Sequence, residues 1–470
     1  MDGRRTSTAL SDAALPEIAA RGVPVPTYDR QRLEPRILHV GVGGFHRAHM
    51  ALYTHELAEL GGEWGIRGVG LLAQDARMAD ALTPQDHLYT LVERGGDTRS
   101  PQIVGSIIDY RLAHTEPSMA SDLMAEPGVA IISLTITEAG YGDGDQSDTT
   151  AFDVIAGGLE RRREAGHAPV TIVSCDNLPG NGDAARRSTL RAGRRRSARL
   201  AEWIDGHCTF PNSMVDRITP VTSDADRAWL RDELGIADRW PVVAEPFRQW
   251  VIEDDFANGR PRWDDVGALF TDRVHDWELY KLRLLNAGHS CMAYLCALAG
   301  ITYVDEAMAA VEVRRFLERL LHLEAVPSLQ EISGHPARDY VASVLDRFAN
   351  TGVRDQIARL CIDGSAKFPT FLLPTVAFQL AHDGPIACSA LSLAGWARYL
   401  TVYPVGDQAF DAAGDSARRY ARQANDDPAR FLDFAAVFPL EVANSARFRA
   451  AFADAWKRIG DVGALAAMGE

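Results

Sequence analysis

The stretch RILHVGVGGFHRAHMALYTHELAELGGEWGIRGVGLL, residues 36–72, constrains the fold more than any other part of the chain. Residues 36–42 are a short apolar, β-rich run ending in glycines, residues 46–60 have helical composition, and residues 64–72 return to strand character. That succession is a βαβ unit, which requires a parallel sheet flanked by helices. Further buried strands are expected at 87–93, 103–110, 129–137, 170–178 and 241–253, with helical stretches such as 151–166 between several of them. The first 35 residues, polar and punctuated by prolines, read as a lead-in arm.

After residue 273 most of the sequence carries helical periodicity and few β-branched runs. The expected architecture is α/β: a Rossmann-like, doubly wound domain over residues 1–273, then a mainly α-helical, substrate-binding domain over 274–470. A chain of 470 residues is long enough for two or three such units.

The formal net charge of −15 disfavours nucleic acid and anionic membrane surfaces, and leaves an uncharged substrate unpenalised. Six cysteines form no CxxC pair, and the N-terminus has no apolar core of a secretory signal. No apolar run approaches membrane-spanning length. A cytoplasmic, reduced protein is the expectation, a monomer or a weak homo-oligomer.

Gly41 and Gly43 follow a strand and precede a helix, the setting a pyrophosphate-binding turn needs. Without a Cβ the first permits the tight turn and the second lets the backbone approach phosphate, while free N–H groups at the helix start favour negative charge. His46 stands where the dinucleotide fingerprint has its third glycine, which implies a wider helix–strand crossing. Arg47, one position on, could offer a cationic fork to the pyrophosphate. Gly41, Gly43, Gly44, Phe45 and Arg47 are thus the candidate cofactor contacts of the turn.

Asp75, after the second strand, is the candidate partner of the adenosine ribose, although it lies further along than the usual ~20 residues. A carboxylate there favours NAD, while the neutral neighbour Gln74 leaves NADP possible. Two alternatives stay open for this stretch: a strand–turn–helix with no ligand, and a metal site built on His39, His46 and His49. The second lacks any cysteine or carboxylate at a zinc spacing, and HEL at 55–57 does not continue into HExxH, so no metal is expected.

HDWELYKLRLLNAGHSCMAYL, residues 275–295, loads an apolar helix with polar groups. On a regular helix with Lys281 at zero, Glu278 falls near 60°, His289 near 80° and Asn286 near 140°, all on one face. Such a set fits alcohol oxidation, in which the hydroxyl proton must be taken as hydride leaves. Lys281 could be the base if burial lowers its pKa from about 10.4 toward 7–8. Asn286, with Asn177 of SCDNLPGNG at the end of a strand, could donate to the developing oxyanion, His289 could orient the substrate oxygen, and Glu278 could pass the proton to solvent. The competing interpretation is a solvated face carrying an ordinary i,i+3 ion pair.

The chain resembles the polyol-specific long-chain dehydrogenases in GVGGFHRAH, SLTITEAGY (133–141), SCDNLPGNG, FPNSMVDRITP (210–220), EPFRQWVIEDDFANGRP (245–261), KLRLLNAGHS (281–290) and DGSAKFP (363–369). The resemblance implies a zinc-independent enzyme with its active site between the two domains, Lys281 as general base, Asn177 and Asn286 as the oxyanion hole, His289 on the substrate and Glu278 in the proton path. It also implies substrate contacts at Asp216, Arg359 and Lys367; residue chemistry alone makes Asp216 a turn residue and Lys367 a solvated one. The implied substrates are a polyol or ketose, D-mannitol and D-fructose first, with D-arabinitol, D-sorbitol and fructuronate as alternatives. A non-catalytic dinucleotide sensor on the same fold is the rival from another class. Two departures from the family pattern stand out: Gln74 where an acidic neighbour of Asp75 is expected, and a short bridge over 142–154 that would alter the rim of the cleft.

Overall fold

The computed structural model describes residues 7–142, 151–403, 411 and 413–469, so most of the bridge expected to reshape the rim lies outside the described residues. The chain forms two compact units, Met1–His275 and Asp276–Glu470.

The first unit is built on five parallel strands: β1 (Glu34–Val40), β2 (Trp64–Gly70), β3 (Ile107–Leu112), β4 (Ile131–Leu134) and β5 (Thr171–Ser174). Their order is β3-β2-β1-β4-β5, the Rossmann order, which reverses direction between β1 and β4. Both faces are apolar, because alternate side chains of a strand point to opposite sides. Ile37, Ile66, Ile107, Ile131 and Val173 enter one core with Tyr53 and Leu57 of a helix. Leu38, Val69, Ile132, Leu134 and Ile172 enter the other with Ile155 and Leu159 of the helix Ala151–Ala165. A Rossmann-type domain follows from this alternation.

Several elements differ from the sequence reading. The run 46–60 is two helices, Gly44–Ala48 and Met50–Glu59, because His49 leaves the helical region at φ −124° and ψ −98°. Residues 87–93 and 241–253 do not extend the main sheet. Tyr89–Gly95 pairs with Val242–Ala244 and Thr98–Val104 in a second sheet, and Gln249–Ile252 pairs with Ser213–Asp216 and Leu269–Phe270 in a third. The lead-in arm is no free arm. Thr8–Ala9 pairs with Ile236–Ala237, and Leu10, Ala14, Ile18 and Val23 bury themselves against Leu88, Ile103 and Ile236.

The second unit is helical. Its centre holds two helices that are buried along most of their length, Ala287–Leu298 and Ala387–Val402, as helices apolar all round must be. They approach closely at Gly395, where a Cβ would lie 2.6 Å from Leu295 Cδ2. Ala446–Val462 packs on the second of them, and the Arg398 guanidinium donates to the Trp456 carbonyl. All six cysteines are buried thiols. Among the described residues no helix is long and apolar enough to cross a membrane.

Candidate active site

The glycine turn sits at the C-terminal end of β1, beside the point where the strand order reverses, the place where open α/β sheets take their ligands. Gly41 has φ +90°, and a Cβ there would lie 2.2 Å from the Thr135 carbonyl oxygen of the chain leaving β4. No other residue fits. Gly43 caps the helix that Gly44 opens, and Phe45 stacks on His49 with ring centroids 5.0 Å apart.

The polar side chains around the turn point inward. His39, fully buried on β1, bridges Ser133 Oγ at 2.8 Å and Thr135 Oγ1 at 2.9 Å, while Thr135 Oγ1 donates to the Gly41 carbonyl at 2.6 Å. Because the threonine proton is committed to Gly41, the imidazole donates from Nε2 and accepts at Nδ1. His46 stacks on His39 with centroids 3.4 Å apart, so two imidazoles fill the crossing that a third glycine would have closed. Burial holds His39 down to about 3 and keeps His46 well below the ordinary imidazole range. His49 donates from Nε2 to the Gln249 carbonyl at 2.9 Å. Among the described residues no three His, Cys, Asp or Glu side chains are grouped to hold a metal ion.

Arg47 departs from the cationic fork expected of it. Its guanidinium donates to the Gly43 carbonyl at 3.3 Å and to the Trp240 carbonyl, and Tyr89 donates its hydroxyl to the Arg47 carbonyl at 2.6 Å. Only 1% exposed, the side chain braces the turn from within. Asp75 ends a short 3₁₀ turn (Ala73–Asp75) after β2, and its Oδ2 accepts from the Leu72 N–H at 2.9 Å. It folds against Gly70, where an added Cβ would lie 2.6 Å from its own. Asp75 thus stands in the turn that follows the second strand.

Asn177 lies exposed in the loop after β5. Sequence reasoning missed what fixes that loop. Asp176, buried, accepts from the Thr137 N–H at 2.8 Å and the Tyr141 hydroxyl at 2.6 Å, and so ties this loop to the one after β4. Asn181 Nδ2 donates to the carbonyls of Ser174, Asp176 and Ser213. The signal was present in the DN pair and the following NG of SCDNLPGNG, whose side chains favour such local backbone bonds. Asp216 is no turn residue: it closes the strand Ser213–Asp216 opposite Gln249 and is only 3% exposed.

In the second unit the helix expected over 275–295 is interrupted. Val274–Tyr280 is α-helical, Lys281–Asn286 is a π-helix, and Ala287–Leu298 resumes the α-helix. In a π segment the bonds run i→i+5, so each residue advances by less than 100° and the regular wheel no longer sets the azimuths of Asn286 and His289 relative to Lys281. Glu278 and His289 are buried, the latter stacked on Phe348 at 3.9 Å, while Lys281 and Asn286 are partly exposed. Such bulges are frequent at functional sites.

Arg359, on the short helix Ile357–Leu360, makes a two-pronged ion pair with buried Asp355, Nε to Oδ1 at 2.8 Å and the second nitrogen to Oδ2. Lys367, on the helix Gly364–Phe371, is partly buried and donates from Nζ to the Leu360 carbonyl at 3.1 Å. Burial lowers its pKa, and the nearby Arg359 charge lowers it further. Lys367 is not the solvated cation its residue chemistry suggested.

A Rossmann-type sheet carrying a glycine turn at its switch point, followed by a helical unit with a polar π segment, defines a two-domain protein of the dinucleotide-binding class. Residues 35–265 match the mannitol dehydrogenase Rossmann domain and residues 273–460 the mannitol dehydrogenase C-terminal domain. A mannitol dehydrogenase of Saccharomyces cerevisiae is 38% identical, covering 99% of this chain and 98% of its own. The mannitol 2-dehydrogenase of Phaeosphaeria nodorum is 39% identical over 96% of this chain and 84% of its own. Among solved structures, Pseudomonas fluorescens mannitol 2-dehydrogenase in ternary complex with NAD and D-mannitol matches at a TM-score of 0.86 with 38% identity, covering 98% of this chain and 99% of the other. A substrate-free D-sorbitol dehydrogenase matches at 0.90 with 32% identity, covering 98% and 100%. The chain belongs to the mannitol dehydrogenase family.

Proposed function

We propose that this protein is a polyol dehydrogenase that interconverts a secondary alcohol and its ketone, D-mannitol and D-fructose first, using NAD and no metal. The observation that carries the reading is the distribution of its amines. Of the 49 lysines and arginines only three are lysines, at 281, 367 and 457. Arginine cannot give up its proton at working pH, whereas a lysine can be tuned to do so. A chain that uses arginine almost everywhere keeps an amine at the head of its π segment and another, lowered in pKa, on the helix Gly364–Phe371.

The cradle at Gly41, which a Cβ would fill, suits a pyrophosphate on the backbone of Gly41, Gly43 and Gly44. Phe45 lines the turn, Arg47 braces it, and Asp75 would take the ribose hydroxyls. Held there, NAD would supply the acceptor for the hydride of the carbinol carbon. Lys281 Nζ takes the hydroxyl proton of that carbon, and Glu278 carries it toward solvent. Asn177 and Asn286 donate their amide N–H groups to the oxygen as its charge grows, a role that a Lewis-acidic ion fills in other alcohol dehydrogenases. His289, held by its stack on Phe348, orients the same oxygen, while Asp216, Arg359 and Lys367 bind the remaining hydroxyls.

A second reading, D-sorbitol as substrate, is favoured by the TM-score of 0.90 to the sorbitol enzyme. One experiment separates these. Absorbance at 340 nm is followed with mannitol, sorbitol and arabinitol against NAD and NADP, and with fructose and fructuronate against the reduced cofactors. Mannitol with NAD is expected to give the highest kcat/KM, unaffected by a chelator. Cofactor binding without turnover on any polyol would leave a sensor, and chelator-sensitive turnover would overturn the metal-free mechanism.

A further inference from the structure

Three charged side chains of the second unit lie together: Asp355, Arg359 and Lys367. Asp355 engages Arg359 through both carboxylate oxygens, and the carboxylate is only 9% exposed while the guanidinium side chain is 60% exposed. The fork of a guanidinium matches a carboxylate in two parallel bonds, so Asp355 occupies the Nε edge and leaves only the edge between the two terminal nitrogens for other partners. Lys367 lies close enough to feel the Arg359 charge, and its Nζ is held by the Leu360 carbonyl of the Arg359 helix. Asp363 and Asp411 also act on Lys367, whereas among the described residues Asp355 alone pairs with Arg359; without Asp355 the guanidinium charge would be left uncompensated, which suits an anion. With it, one of the two charges is neutralised, and the exposed face of the guanidinium offers N–H donors that suit hydroxyl oxygens.

We propose that Asp355 is a specificity-determining positioning residue, which acts through Arg359 to make the site select neutral polyol and ketose chains against hexuronates of the same length. The proposal rests on the reading of Arg359 and Lys367 as substrate contacts. It assigns a role to a residue that acts through another: the carboxylate fixes the orientation of the guanidinium and cancels its charge, and selection against a carboxylate follows from that lost charge and from repulsion by Asp355.

The test compares the wild-type enzyme with Asp355→Asn, Asp355→Glu and Glu306→Gln. The last removes an exposed carboxylate paired with the neighbouring Arg354 and controls for the loss of one negative charge nearby. For each, kcat/KM is measured for fructose and for fructuronate with NADH. Asp355→Asn is expected to raise the fructuronate-to-fructose ratio at least tenfold, while Asp355→Glu and Glu306→Gln leave it within about twofold. A merely structural role would lower both values together and leave the ratio unchanged, which overturns the proposal. A measurement that needs no variant runs beside it: inhibition of wild-type mannitol oxidation by mannonate should be weaker than by a non-reacting alditol, and tighter binding of the anion overturns the proposal. Wild-type enzyme inactive on every polyol and ketose would instead refute the function itself.

Discussion

The glycine turn of the first unit and the π segment with its neighbours in the second are both crowded with polar residues, yet the two regions treat those residues differently. Around the turn, His39, His46, Arg47 and His49 are each at most 1% exposed and aim at backbone carbonyls, hydroxyls or one another. In the second unit Lys281, Asn286 and Lys367 are partly exposed and Arg359 is exposed. A motif such as GFHRAH therefore records how a backbone cradle is held in shape, whereas KLRLLNAGH includes groups left accessible, Lys281 and Asn286, beside the buried His289. Contiguous polar residues in a sequence do not tell these two uses apart; burial does.

The largest effect expected from this contrast is on turnover. Lys281→Ala should lower kcat by 10³-fold or more, close to what loss of a general base costs, while fluorescence titration shows NADH binding retained. Unchanged turnover would place the base elsewhere. Because only two other lysines are present, the pH dependence of amine acylation at Lys281 can be followed by mass spectrometry of the peptide that contains it.

Next comes Arg47. If it braces the turn, Arg47→Met leaves the part-buried Trp240 carbonyl without its guanidinium donor and the Gly43 carbonyl with only the backbone N–H of residue 47, and should cost about 1–3 kcal/mol of unfolding free energy, seen as an earlier urea midpoint. A variant of native stability whose NAD affinity alone falls tenfold would turn Arg47 back into a pyrophosphate ligand and erase the contrast between the two regions.

The smallest effect per group concerns acid. Burial depresses His39 and His49 to about 3 and His55 to about 4 in the folded protein, against about 6.5 in the unfolded chain. The unfolded state thus binds more protons below pH 6.5, and stability falls as pH drops from there toward the folded values. Each imidazole contributes at most about 1.4 kcal/mol per pH unit across that window. Urea unfolding at pH 7.5, 6 and 5 should show the decline, and His55→Gln should soften it; a flat profile would mean that these rings are hydrated in the folded state.

Much of the fold was legible because periodicity and turn chemistry are local. The β1–turn–helix–β2 succession, the β4 and β5 runs and the change to helical patterning could all be read from alternating apolar residues and glycine placement. What escaped was non-local pairing. Residues 87–93 and 241–253 have the composition of buried strands and are strands, but composition cannot say which sheet they join. The break at His49 was likewise hidden, since its ring answers to a carbonyl 200 positions away.

The candidate site divides the same way. Lys281, Asn286 and His289 could be listed from residue type and spacing, but the regular wheel that aligned them fails where the helix widens into a π segment. Asp176 could be suspected from its DN pair, but Asp355 gave no signal, as an isolated acid in a chain with 64 acidic residues carries no mark of what it holds.

By itself the sequence determined the class of fold, the position of the turn and the supply of titratable amines, since these depend on backbone freedom, apolar period and residue chemistry within a few turns of chain. Only the tertiary structure decided which polar groups are locked inside and which stay reachable. Burial is a sum over contacts from distant segments, such as Thr135 beside Gly41 and Trp240 beside Arg47, and no local pattern encodes that sum.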